Sequence, residues 1–481
     1  MKNLKIFGVA FLSILSYNCA SSQTSTATNK PNIILIVADD LGWKDVGFMG
    51  SKFYETPNLD ALAKQSLLFT NAYTAAANCA PSRACLFTGM NTPRHGIYTV
   101  GTSERGDEAS RKLIPIKNTD ILADNFFTLS EALQQAGYYT ANIGKWHIGE
   151  DPKTQGFDFN VGGTHQGNPP SYFAPYRIPA IKDGPDGEYL TDRLTTEAVS
   201  FLKENSKKQF FLYLPYYAVH TPLQVPQVLK EKYEKKLKTP GQKHATYAGM
   251  IESLDTNIGR ILHQLDELNL SKNTIVIFTS DNGGIRNISH QDPLRAGKGS
   301  YYEGGIRVPL IIRWPGKVTK GSKTDVPVTN LDFYPTILDI LSIKPVNAKL
   351  DGISFLPVLK GGTLAERPLY WHFPIYLQAY DSDSDDGRDP VFRTRPGAAV
   401  RLGDWKLHEY YEDDAIELYN LKDDVSERNN LASKNSAMVK KLHDKLINWQ
   451  KEVNAPIPTK PNPNFNPALQ FTINKVKRGS K

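Results

Sequence analysis

Three short apolar runs, at residues 33–38, 210–214 and 274–278, constrain this chain most, because each leads on to acidic or polar residues. Runs of this length, rich in Ile, Val, Leu and Phe, are the pattern of strands buried on both faces. The first passes directly into Asp39-Asp40. The second leads to His220-Thr221-Pro222, and the third into Asp281-Asn282-Gly283-Gly284. A fourth strand-like segment, 138–143, leads to Gly144-Lys145-Trp146-His147. Helical patterns lie between them. Thr56-Pro57 reads as an N-cap with Pro at the first helical position, opening a helix over 58–66. Thr128-Leu129-Ser130-Glu131 is a capping box, and Gly137 closes that helix. Met250, Leu254, Ile258, Ile261, Leu262 and Leu265 form the stripe of a core-facing helix. Strands alternating with helices imply an α/β domain around a largely parallel sheet.

In open sheets of this kind, ligands bind beyond the carboxyl ends of the strands. Four segments would then deliver carboxylates, an amide, a lysine and histidines to one edge. Carboxylates gathered so closely are costly without a cation. The hard oxygen donors Asp39, Asp40, Asp281 and Asn282 suit Ca²⁺ or Mg²⁺ better than zinc. Asp39-Asp40 alone also fits a turn or a helix cap; the four segments together point to a site.

With 481 residues the chain is long enough for more than one domain. Composition shifts near 360–366, and segments 370–373, 398–402, 405–411 and 416–421 alternate like an antiparallel meander, followed by a helix over 436–453. The expected division is a large domain over 31–362 and a small α+β domain over 363–481. The acidic stretch 381–386 reads as a solvated loop and the tail from Pro456 as extended chain. Lys2 and Lys5 precede the apolar stretch 6–15, a signal-peptide pattern over 1–18. Cys19 then opens a Ser/Thr-rich tether over 19–30, resembling a bacterial lipoprotein cleavage site. Export is expected, to the periplasm or outer membrane as a lipoprotein or by plain secretion, with the membrane reached only through that anchor. The net charge of +7 suits a polyanionic substrate. Lys and Arg are scattered and no nucleic-acid module is recognised, so nucleic acid is not an expected partner.

Cys79-Ala80-Pro81-Ser82-Arg83, with Leu86 and Thr88-Gly89, stands before a helical pattern. A catalytic cysteine usually needs a partner that makes a thiolate. None is evident here, and Arg83 clamps anions rather than accepting protons. A bland reading is an ordinary loop-to-helix turn, or a Cys79–Cys85 disulfide; Cys85 itself reads as packing. The run resembles the signature of the type I sulfatases, and the resemblance extends densely from about residue 32 to 309 and more loosely to about 432. It implies an alkaline-phosphatase-like fold: a central, mostly parallel mixed sheet flanked by helices, plus a small C-terminal α+β domain with an antiparallel sheet.

The resemblance also implies chemistry. Cys79 would be converted to formylglycine by a formylglycine-generating or sulfatase-maturating enzyme, and its hydrate would attack sulfur. Asp39, Asp40, Asp281 and Asn282, with the side chain at position 79, would hold a calcium ion. Arg83, Lys145 and Lys298 would neutralise sulfate oxygens. His147 would accept a proton from the hydrate, and His220 would protonate the leaving oxygen. The segment 303–309 is also family-like, with glycines suggesting close backbone approach and Arg307 a structural role. A sulfated glycan is the expected substrate, with His165, Tyr172, His372, Arg393 and Arg395 as candidate sugar contacts. Two other readings stay open: a phosphonate monoester or phosphodiester hydrolase using the same nucleophile, and a non-catalytic glycan-binding lipoprotein.

Overall fold

The seven residues of β1 (Asn32–Ala38) are all buried, and their alternation divides the interior in two. Ile34, Ile36 and Ala38 join one hydrophobic cluster, whereas Ile33, Leu35 and Val37 join another. Each large side chain so removed from water contributes roughly 1.5–3 kcal/mol. The computed structural model describes Met1, residues 30–345 and residues 349–469. The expected signal pattern, Cys19 and all but the last residue of the tether lie outside the described residues, as does the tail from residue 470.

Among the described residues, β1 belongs to an eight-stranded sheet with β2 (Leu67–Phe69), β3 (Tyr139–Ile143), β4 (Phe159–Val161), β5 (Phe210–Pro215), β6 (Thr274–Ser280), β7 (Leu310–Arg313) and β8 (Ser322–Thr324). Their spatial order is β4-β3-β5-β1-β6-β7-β2-β8. Pairing is parallel from β4 to β6, and β7 runs against both its neighbours. Helices cover both faces. The Ile34 face receives α1 (Pro57–Ala63), and the Ile33 face receives α2 (Cys79–Thr88) and α3 (Leu129–Gln135). On the Ile34 side lie also α4 (Leu190–Glu204) and α5 (Ala245–Glu267), with the expected stripe of α5 buried at Met250, Leu254, Ile258, Ile261 and Leu265. α6 (Phe333–Leu341) completes the opposite layer.

The capping box at Thr128 and Glu131 is formed. Thr56 differs from expectation: its hydroxyl does not cap α1 but donates to Asp60 at 3.1 Å and accepts from the Gly47 N–H at 2.7 Å. That helix also ends earlier than the pattern predicts, at Ala63.

A separate antiparallel sheet has the order β9 (Leu369–Phe373), β10 (Gly397–Leu402), β11 (Trp405–Tyr410) and β12 (Ala415–Asn420). α7 (Ser436–Glu452) packs Leu442, Leu446 and Trp449 on it. The fold is therefore α/β with a large mixed sheet, beside a separate antiparallel sheet. The acidic stretch is not wholly solvated. Asp385 and Asp386 are buried, Asp385 accepting from the Tyr380 N–H at 2.5 Å and Asp386 pairing with Arg428 and Arg286.

Candidate active site

Because β1, β3, β5 and β6 run the same way, their carboxyl ends share one edge. The chain segments leaving that edge stay tied to one another. The Asp281 N–H donates to the Ala38 carbonyl at 3.1 Å, the Asp39 N–H to Ala218 at 2.9 Å, and the Lys145 N–H to Pro215 at 2.8 Å. Asp40 and His147 take left-handed φ values of 61° and 71°, uncommon for residues with a side chain and concentrated at functional sites. α2 starts here, and all ten of its residues are buried. Its Cys79 Sγ lies within 4.8 Å of carboxylate oxygens of Asp39 and Asp281. Asn330 donates at 2.9 Å to both the hydroxyl and the carbonyl of Ser82, so the motif's serine is committed to anchoring the helix. Cys79 and Cys85 are both free thiols, which removes the disulfide reading. Cys85 is buried with its Sγ 3.4 Å from His95 Nε2, a packing position.

Three carboxylates meet three cations in this edge. Arg83, 1% exposed, sends Nε and Nη2 to one oxygen of Asp281 at 3.0 and 2.8 Å, and Nη1 to the Lys145 carbonyl at 2.8 Å. Lys145 Nζ lies 2.7 Å from Asp39 Oδ2, and Lys298 Nζ 2.7 Å from Asp40 Oδ2. Burial works to raise the Asp39 pKa above the usual carboxylate range, and the Lys145 cation beside it opposes that rise. At Asp40 burial acts the same way, but Lys298, His220 and Lys145 overcome it and hold the carboxyl well below the usual range. Asn282 Nδ2 donates to Asp40 Oδ1 at 2.8 Å. That leaves Asn282 Oδ1 and Asp39 Oδ1 buried without a hydrogen-bond partner. Buried acceptors are rarely left so, and two oxygens beside further carboxylates fit a hard divalent cation. The other candidate ligand groupings at this edge are Asp39, Asp40 with His220, and Asp39, Cys79 with Asp281.

A cavity of about 200 Å³ opens onto this edge, bordered by Cys79, His147, His220, Lys298, Arg105 and Tyr380. His220 Nδ1 donates to the Thr221 carbonyl at 2.7 Å, so Nε2 is the atom turned to the site, 3.6 Å from Asp40 Oδ2. Burial, with Lys298 next, lowers the His220 pKa to about 4. Burial, then Lys145 and Arg83, depress His147 far below its ordinary value. Both imidazoles are thus neutral near pH 7.

The candidate sugar contacts divide. His165 sits beside His147 at 6.3 Å between ring centroids, its Nδ1 without a partner. Arg393 reaches the edge from behind, donating to the Lys298 carbonyl at 3.0 Å and lying 3.4 Å over the Tyr380 ring. The other three are placed otherwise than expected. Tyr172 is fully buried, its hydroxyl donating to the carbonyls of Tyr217 at 2.6 Å and His220 at 2.9 Å. His372 is buried between the Pro456 carbonyl and the Tyr411 hydroxyl. Arg395 is neutralised by Asp389 and Glu412, each at 2.6 Å. Arg105, Tyr380 and Asn168 line the cavity without any motif to announce them.

Known proteins resemble this chain in sequence and in fold. The family model described as Sulfatase matches residues 31–343, and the one described as N-sulphoglucosamine sulphohydrolase, C-terminal, matches residues 297–452. The chain belongs to the sulfatase family. It is a sulfuric ester hydrolase. A sulfatase of Formosa agariphila is 35% identical over 93% of this chain and 94% of its own length. The human N-acetylgalactosamine-6-sulfatase is 33% identical over 72% of this chain and 69% of its own. Among solved structures, that of Ps i-CgsB superimposes with a TM-score of 0.72 at 32% identity, covering 90% of this chain and 94% of its own, and a complex with k-i-k-neocarrahexaose gives the same values. A sulfate ester calls for a concave site lined with positive charge, and the cavity at the Asp39–Asp281 edge has Lys298 on its border with Arg83 and Lys145 behind it.

Proposed function

We propose that this sulfatase cleaves sulfate esters from a sulfated glycan, with formylglycine at position 79 and calcium held by Asp39, Asp40, Asp281 and Asn282. The observation that carries this reading is the set of three carboxylate–cation pairs around Cys79, with two buried oxygens left free. Calcium there would supply Lewis-acid stabilisation of developing charge, and formylglycine would supply, as its hydrate, a nucleophile that can later release sulfate by C–O cleavage. An unmodified Cys79 is poorly suited to that role. Burial pushes its thiol up, away from the reactive thiolate. Glycan substrates are supported by the galactosamine and carrageenan relatives.

The chain's own residues do the rest. Arg83, Lys145 and Lys298 hold fixed positive charge in a dry pocket, where it acts strongly on the oxygens of a sulfate monoester. His147, kept neutral, is in the form that accepts a proton from the group at position 79. His220 presents Nε2 to donate a proton to the leaving sugar oxygen. Its pKa is low without substrate; a sulfate placed beside Nε2 and Lys298 opposes that depression and favours the protonated form. Tyr172 anchors the main chain at His220, which keeps that nitrogen in place.

Sulfate release from sulfated saccharides by the purified protein, followed by peptide mass analysis at position 79, tests the reading. Active protein should show loss of sulfur and gain of an aldehyde, and Cys79→Ala should be inert. Full activity with an unmodified thiol overturns the nucleophile, and faster turnover of an aryl phosphonate than of an aryl sulfate overturns the substrate class. The same reading requires a maturating enzyme and export. Membrane fractionation of wild type against Cys19→Ser distinguishes a lipid anchor from plain secretion.

A further inference from the structure

Arg105 borders the same cavity as Cys79, His220 and Lys298, yet its charge is not balanced as theirs is. The deeper cations are each paired: Arg83 with Asp281, Lys145 with Asp39, Lys298 with Asp40. Among the described residues, Arg105 forms no ion pair; its guanidinium donates to the Val100 carbonyl. Burial, and then the neighbouring Arg393 cation, work against the charge on Arg105. Arginine does not escape by losing a proton, so the cost stands until an anion arrives. Beside it, Tyr380 is 47% exposed and also borders the cavity, with Arg393 lying over its ring. An aromatic platform next to an unbalanced cation is the chemistry for holding an anionic sugar ring.

We propose that Arg105 is a specificity-determining residue that receives a second oxyanion, a sulfate or a carboxylate, carried by the same saccharide whose sulfate ester is cleaved at position 79. This rests on the sulfatase reading above. The cleaved sulfate is already provided with Arg83, Lys145 and Lys298. A sugar lacking a further anion would cover Arg105, strip its water and give nothing back, so the residue both rewards the doubly anionic substrate and penalises the singly anionic one.

Three disaccharides test it: one with a single sulfate ester, the same with a second sulfate, and one with a single sulfate plus a uronic acid. Two readouts are taken, kcat/KM for sulfate release by the mature enzyme and calorimetric binding to Cys79→Ala protein. Wild type should prefer a doubly anionic compound over the singly anionic one by roughly 10–100-fold, the range of hydrogen bonds to charged groups. Arg105→Gln should bring that ratio to within about threefold of one. Arg105→Lys, which keeps the charge but not the planar fork, should retain part of it. Preference for the disulfate alone assigns a sulfate, and preference for the uronate alone assigns a carboxylate. No preference in wild type, or a preference unchanged in Arg105→Gln, overturns the proposal. Absence of sulfate release from all three compounds would overturn the enzymatic reading, while the calorimetric ratio would still decide the role of Arg105.

Discussion

Removing divalent cation should destabilise this protein by several kilocalories per mole. Without the ion, Asp39 Oδ1 and Asn282 Oδ1 stay buried and unpartnered. Each such acceptor costs about 1–3 kcal/mol, so the pair sets a penalty of roughly 2–6 kcal/mol. Linkage gives a matching range: an ion present at 100 to 1,000 times its dissociation constant stabilises by about 2.7–4.1 kcal/mol. The assay is thermal denaturation of protein dialysed against chelator, then returned to calcium, magnesium or zinc. Calcium should raise the transition most. A second readout follows from Asp39, whose carboxyl burial pushes up from its usual range, so that it holds a proton more readily without the ion than with it. Any proton it holds must leave when the ion binds, which calorimetry in buffers of different ionisation enthalpy detects as a release that grows as pH falls. Identical melting with and without calcium, together with no proton release, would refute the assignment of this edge as a cation site.

Arg83→Met would strand the buried Asp281 carboxylate and should cost about 3–5 kcal/mol, seen as a lowered melting temperature, with Arg83→Met/Asp281→Asn losing less than the sum of the two single changes. His220→Ala should lose roughly 10²–10⁴-fold on a sulfated sugar but far less on nitrophenyl sulfate, whose leaving group needs no proton; equal losses would make His220 a sulfate-positioning group. Acid should destabilise the fold through His95 and His372, whose pKa values burial lowers to about 3 and about 4. A folded pKa below the unfolded value of about 6.5 means full stabilisation above pH 6.5, lost progressively as pH falls toward 4 and 3. His372 Nδ1 faces the Tyr411 hydroxyl as an acceptor and cannot do so once protonated. His372→Gln should flatten the fall in melting temperature between pH 6.5 and 4, and an unchanged slope would remove His372 from the account.

The strands were legible because a strand buried on both faces must be apolar at every position, as β1, β5 and β6 are, and nothing local competes with that signal. Parallel order then fixes which residues share an edge, so Asp39, Asp281, Lys145 and His220 could be brought together from sequence. Loop side chains are different. Tyr172, His372 and Arg395 have the chemistry of sugar contacts, but whether a loop hydroxyl or guanidinium faces a ligand depends on which carbonyl or carboxylate it meets first. Arg395 meets Glu412 across 17 residues, a pairing that no local pattern encodes. Arg105 and Tyr380 are adjacent to one cavity only because the two sheets bring distant loops together. The acidic stretch misled for a related reason: a charge run is solvated unless cations such as Arg286 and Arg428 arrive from elsewhere.

Such long-range ionic contacts explain how Lys298 is held. A buried ion pair contributes little net stability against a well-packed apolar substitute, so its use here calls for a geometric reason. Glu303 receives Lys406 Nζ at 2.9 Å and the Tyr73 hydroxyl at 2.7 Å, while its own N–H donates to Glu427 at 2.6 Å. Tyr302 donates to Glu417 at 2.6 Å. These bonds fasten the 302–303 segment to β11, β12 and the loop beyond β12. Gly305 then passes so close to the 297–300 turn that a Cβ there would lie 1.9 Å from the Ser300 carbonyl oxygen. Arg393 grips the same turn from the other side, through the Lys298 carbonyl. The turn cannot shift without breaking charged contacts on both sides. A point charge acts on a transition state only at the place where it is fixed, and a displacement of about 1 Å can cost 10²-fold. The antiparallel sheet therefore braces the main chain that carries Lys298, while Asp40 Oδ2, 2.7 Å from Nζ, sets where its charge lies.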